Sequence, residues 1–150
     1  MRNFIPNNLH SKFNGRTAVL PYIKCTLHLT DLVLSYFDRE LFQHLQRKRI
    51  SIEMFATNWV TTLFTRVVHF NLIYELWEIF LFERDQYFIF YFAVALLVSH
   101  REYILLLNKF DALLKLLQKI FIQDLVDLQE TYRKAIEIRK LMPVSFQVLV

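Results

Sequence analysis

The stretch WVTTLFTRVVHFNLIYELWEIFL, Trp59–Leu81, decides the fold class of this chain. It reads as two helices joined by a short turn, with a tryptophan on each. Phe55, Trp59, Leu63 and Phe64 recur on one side of the first helix, while Thr57, Asn58 and Thr61 lie elsewhere. On the second, Leu72, Leu76, Ile79 and Phe80 point inward and Glu75 and Glu78 outward. This spacing follows the helical repeat of about 3.6 residues and not the alternation of a strand. Ser51 and Asn71 stand where N-caps are expected, and Glu53 falls in a first turn, where the helix dipole favours an acid. Trp59 and Trp77 offer large rigid area for helix packing, so both are expected in the core.

Upstream, SYFDRELFQHL (Ser35–Leu45) reads as a helix end, a break and a new helix capped by Asp38, with Leu41, Phe42 and Leu45 apolar. The helix before the break is expected to start at Pro21, whose missing N–H is tolerated in a first turn. Its apolar face is Tyr22, Cys25, Leu29, Leu32 and Tyr36, and its polar stripe Lys24, His28, Asp31 and Ser35. Residues 1–20, with Asn7, Asn8, Asn14 and Gly15, have no sustained period and are expected to be irregular. Downstream, YFIFYFAVALLV (Tyr87–Val98) is apolar on all sides, as a central helix covered by neighbours would be. A short piece follows over Glu102–Leu107. Phe110, Leu113, Leu114, Leu117 and Ile120 then mark an amphipathic helix. The last helix spans about Asp124 to Leu141, with Leu125, Leu128, Tyr132, Ala135 and Ile136 inside and a Glu130–Lys134 pair outside; Pro143 ends it.

Composition agrees. The single glycine, Gly15, and the three prolines, Pro6, Pro21 and Pro143, lie toward the ends, so nothing between Tyr22 and Met142 breaks a helix covalently. The expected fold is all-α, one domain with the helical part over residues 21–150 and seven to eight helices. Fifteen Phe, seven Tyr and two Trp make the core unusually aromatic for a chain that is 55% hydrophobic. Cys25 is the one cysteine, so no internal disulfide forms. Residues 1–20 carry polar and charged groups throughout, without the apolar core of a signal peptide. The expected setting is reducing and cytoplasmic. Tyr87–Val98 falls short of the roughly 20 residues a bilayer span needs and is closed by Arg84 and Asp85 on one side and His100, Arg101 and Glu102 on the other. It is expected to be internal. A net charge of +4 with a single basic run, Arg47–Lys48–Arg49, argues against nucleic-acid binding and is read as a solvated turn.

No reaction centre emerges. A phosphate-cradling loop needs several glycines. A zinc site needs clustered Cys and His, and Cys25-x-x-His28 is the only close pair, split between an apolar and a polar stripe. His10, His44, His69 and His100 are dispersed. The carboxylate pairs Glu75/Glu78 and Asp124/Asp127 are spaced for one helix face and read as solvated charge. No catalytic, cofactor-binding or metal-binding residue is assigned, and no cofactor is expected.

The order of four short stretches nevertheless resembles the C-terminal half of the TBC domain of Rab GTPase-activating proteins. Tyr36, Phe37, Asp38, Arg39, Glu40, Leu41, then His44 and Leu45 resemble the family's Tyr-His-Asp-Pro-Glu-Leu and His-Leu. Trp59, Val60, Thr61, Thr62, Leu63 and Phe64 resemble its Trp-Phe-x-Thr-Leu-Phe. Leu76, Trp77, Glu78, Ile79, Phe80 and Leu81 resemble its Leu-Trp-Asp-x-Phe-Leu. Ala135 and Ile138, then Met142, Pro143, Val144, Ser145 and Phe146, resemble its closing segment. Phe37, Arg39, Val60, Glu78 and Met142 depart from the pattern and mark a divergent member. The resemblance implies a helical subdomain partnered by a Rab-family small GTPase in vesicle trafficking, cytoplasmic and peripheral to endomembranes. It also implies what is missing. Such domains work with an arginine in an Ile-x-x-Asp-x-x-Arg segment and a glutamine in a Tyr-x-Gln segment. Here no Asp is followed three residues later by Arg, and no Tyr two residues later by Gln. The chain is therefore expected not to activate a GTPase alone. Two other readings stay open: an all-α scaffold that binds a protein partner through exposed apolar surface, and a small membrane-associated protein.

Overall fold

The computed structural model describes residues 15–85 and 87–143. Among them are eight α-helices and no strand: α1 (Gly15–Phe37), α2 (Arg39–Arg47), α3 (Glu53–Thr61), α4 (Ile73–Glu83), α5 (Phe88–Ser99), α6 (Arg101–Leu106), α7 (Phe110–Gln118) and α8 (Leu125–Leu141). A 3-10 turn, Phe70–Leu72, leads into α4. The all-α expectation holds.

The fold is organised around α5. Every residue from Phe88 to Leu97 is buried, and α1, α3, α4 and α8 pack around this helix. A helix that is apolar on all sides needs such cover. None of the described helices is long and apolar enough to cross a membrane.

Phe64 is the hub of an aromatic cluster. Its ring lies 4.9 Å from that of Phe92, edge-on, and 5.8 Å from that of Phe80, stacked; Trp59 sits 6.3 Å away. Phe80 in turn contacts Phe88 and Phe92. The backbone reaches this placement at a cost. Leu63 and Phe64 have φ of 50° and 63°, a left-handed region that costs a residue with a Cβ about 1–2 kcal/mol. This is why the first helix stops at Thr61, earlier than the spacing of Leu63 and Phe64 suggested. The connection to α4 is correspondingly longer than the expected short turn. It is pinned by an isolated parallel bridge between Val68 and Ile122, with His69 N–H donating to Ile122 O at 2.9 Å.

Several local expectations change. Helix α1 begins at Gly15, so Pro21 lies within it and not in its first turn; residues 1–14 lie outside the described residues. Its buried face is Ile23, Thr26, Leu27, Thr30, Val33 and Leu34. Cys25, Leu32 and Tyr36 are exposed, one step around the helix from the core. The threonines can join the buried face because Thr26 and Thr30 donate their hydroxyls to the carbonyls of Tyr22 and Thr26, four residues back. Neither Ser51 nor Asn71 caps through its side chain; instead Asn71 Oδ1 lies 2.7 Å from Nδ1 of the His69 ring. Lys134 pairs with Glu137 at 3.6 Å and not with Glu130.

Trp77 is the largest correction. Trp59 is 2% exposed and Trp77 50%. Leu76 and Phe80 take the core face of α4, which leaves Trp77 on the flank.

Candidate functional site

The motif-bearing residues of α2 tie that helix to the far end of α5. Asp38 breaks the chain between α1 and α2 and caps α2, its Oδ1 accepting from Leu41 N–H at 3.2 Å. The same carboxylate takes two hydrogen bonds from Arg101 at the start of α6, Nε to Oδ2 at 2.8 Å and Nη2 to Oδ1 at 3.2 Å. Arg101 also reaches Glu40 at 3.2 Å. Burial pushes the Asp38 carboxyl up, but the Arg101 hydrogen bonds, the Leu41 N–H and the Arg101 charge together hold it below its ordinary value. One turn along α2, His44 is buried and its Nε2 lies 2.9 Å from Leu107 O. A carbonyl only accepts, so Nε2 carries the proton. Asp38 and His44 thus fix both ends of α6.

A second polar cluster closes the other end of α5. Arg139 on α8 pairs with Glu83 at 2.9 Å and Asp85 at 3.5 Å, and its guanidinium lies 5.6 Å from the centre of the Phe88 ring. The Tyr132 hydroxyl donates to Glu83. Burial first, then this hydrogen bond and the Glu83 charge, push the Tyr132 phenol up to about 12.

These clusters engage their arginines with carboxylates; Arg101 also borders a surface pocket of about 500 Å3 that it shares with Glu102, Glu130, Arg133, Lys134 and Glu137. Arg47 ends α2 and donates to Gln43 O at 3.4 Å, and Arg49 and Arg84 occupy left-handed turn positions, so the basic run is a turn. Cys25 and His28 are both exposed, and among the described residues no group of three or more His, Cys, Asp or Glu could hold a metal ion. Asp124 caps α8, accepting from Asp127 N–H at 2.9 Å. Glu75 departs from the solvated reading: its Oε2 is buried and has no hydrogen-bond partner, although Glu78 is exposed.

The surface most unlike a solvated one lies on α4. Tyr74, Trp77 and Leu81 are all exposed, and their spacing of three and four residues aligns them in one stripe; Phe70, in the 3-10 turn before the helix, is exposed as well. Sequence reasoning assigned Trp77 inward and missed this stripe. It also missed Arg101 and Arg139, because pairs separated by dozens of residues leave no local pattern.

Comparison with known proteins matches residues 1–105 to the family model of the Rab-GTPase-TBC domain. Curated relatives include TBC1 domain family member 5 homolog B of Dictyostelium discoideum, 28% identical over 118 residues, which cover 78% of this chain. Another is the Ecotropic viral integration site 5 ortholog of Drosophila melanogaster, 33% identical over 95 residues, 63% of this chain. In each case the chain spans only 11% of the relative's length. With the larger part of its length matched by the family model, this all-helical chain belongs to the Rab-GTPase-TBC domain family.

Proposed function

We propose that this chain is the C-terminal half of a TBC domain, related to the activators of Rab-family GTPases in vesicle trafficking, and that it engages a GTPase without accelerating hydrolysis by itself. The helical unit, which begins with α1 at Gly15, acts as one domain, cytoplasmic and peripheral to endomembranes. The observation that carries this reading is in the sequence: neither the Asp-x-x-Arg nor the Tyr-x-Gln spacing of the two finger segments occurs. An arginine finger stabilises charge on the transferring phosphoryl group and is worth roughly 10³–10⁵ in rate. Arg101 and Arg139 are committed to carboxylates, which supports the same conclusion. Binding is tested with immobilised, GTP-loaded Rab proteins and the 150-residue chain in solution. Nucleotide-dependent binding to at least one Rab is expected. No binding to any member of a broad panel would overturn the GTPase half of the reading.

A second reading, an interaction scaffold without a GTPase role, is favoured by one observation, the exposed stripe Tyr74, Trp77 and Leu81. Stripes of this kind mark surfaces that meet another protein. The same panel separates the two, because the scaffold reading expects no Rab binding in either nucleotide state.

A further inference from the structure

Helices α4 and α8 flank a groove of about 520 Å3. Glu75, Glu78 and Phe82 line it from α4, and Leu125, Leu128 and Tyr132 from α8. On each helix these residues follow at steps of three and four, so each wall of the groove is formed by one face of a helix. Phe82 is 78% exposed at its rim, and Leu125 is exposed as well. The lining holds two carboxylates and no cation, on a chain whose net charge is +4. One of those carboxylates is the anomaly of the structure: Glu75 Oε2 is withdrawn from solvent with no hydrogen-bond donor. Buried polar atoms are nearly always paired, and an unpaired carboxylate oxygen is the costlier kind.

We infer that this groove is a docking site for an amphipathic helix of another protein, one that directs an arginine or lysine at Glu75 and Glu78 and lays apolar side chains on Phe82 and Leu125. A guanidinium held at the groove can serve both carboxylates, which sit one turn apart. The apolar rim supplies area and the acidic floor supplies register, as in other helix-in-groove complexes. The inference does not depend on any GTPase.

The probe is a phage-displayed library of single helices with apolar residues at positions i, i+4 and i+7 and one fully randomised position at i+3, selected against the 150-residue chain. Selected sequences are expected to carry Arg or Lys at the randomised position. Their synthetic, fluorescein-labelled peptides should lose tenfold or more in affinity against Glu75→Gln and against Phe82→Ser, and stay within twofold against Trp77→Ser, which lies outside the groove. Circular dichroism confirms that each variant is folded; if Glu75→Gln is not, Glu78→Gln and Phe82→Ser carry the test. Selection of peptides without a cation, indifference to these substitutions, or no selected peptide overturns the proposal. So does a dimer in sedimentation velocity that dissociates on Glu75→Gln, which gives the groove to a second copy of the chain.

Discussion

Arg101 holds the carboxylate of Asp38 through two nitrogens, at 2.8 and 3.2 Å, across 63 residues of chain. The contact joins the cap of α2 to the first residue of α6, so one side chain stabilises a helix start and fixes a neighbour.

Asp38→Ala removes both functions and is expected to cost about 2 kcal/mol at neutral pH, roughly half from the cap and the remainder from a pair that is partly solvent-screened. Asp38→Asn keeps a capping oxygen and should cost less. Because the folded-state pKa of Asp38 lies below its ordinary 3.8, its contribution is fully present above that value and is lost as the pH falls through the depressed one. Denaturant melts from pH 7 downward check this. The gap between the natural chain and Asp38→Asn should close as the acid range is entered, and a gap that widened in acid would contradict the assignment.

The two tryptophans should separate sharply. Trp59→Ala is expected to cost about 3–5 kcal/mol, the range for a large aromatic truncated in a core. Trp77→Ala should stay within about 1 kcal/mol, as surface changes do. Urea melts of the two variants decide it, and equal losses would place Trp77 in the core after all.

That contrast also marks what was legible in the sequence. The all-α class, the central apolar helix Phe88–Ser99 and the Asp38 cap follow from local periodicity and breaker placement, and local rules hold there. Trp77 and Cys25 defeat such rules. Each neighbours a buried residue on its helix, and which flank is covered depends on partners far along the chain. Leu63 and Phe64 continue the helical spacing of Phe55 and Trp59, yet tertiary packing of the Phe64 ring wins over helix continuation and pulls the backbone into the left-handed region. The unpaired Glu75 oxygen carries no sequence signal, because its spacing with Glu78 is that of an ordinary solvated pair.

Arg84 closes α4 in the left-handed conformation, φ 51°, donating its N–H to Phe80 O. Glycine adopts this conformation without the Cβ penalty. Arg84→Gly is expected to raise stability by about 1 kcal/mol. Thermal melting monitored at 222 nm tests it, and a clear loss would mean that the arginine side chain contributes more than its backbone strain costs.

The apolar run at Tyr87–Val98 is enclosed by α1, α3, α4 and α8, so the expressed chain should be released from membranes by carbonate at high pH. Retention in the pellet would place α5 in lipid and break the fold described here.

The most direct measurement is single-turnover GTP hydrolysis by a panel of GTP-loaded Rab proteins with this chain in excess. The account expects no acceleration, because neither a donor aimed at the developing phosphate charge nor a water-orienting glutamine is recognisable in the sequence. A reproducible rise of about tenfold or more, equivalent to about 1.4 kcal/mol of barrier, that disappeared on substituting one arginine of this chain would contradict it.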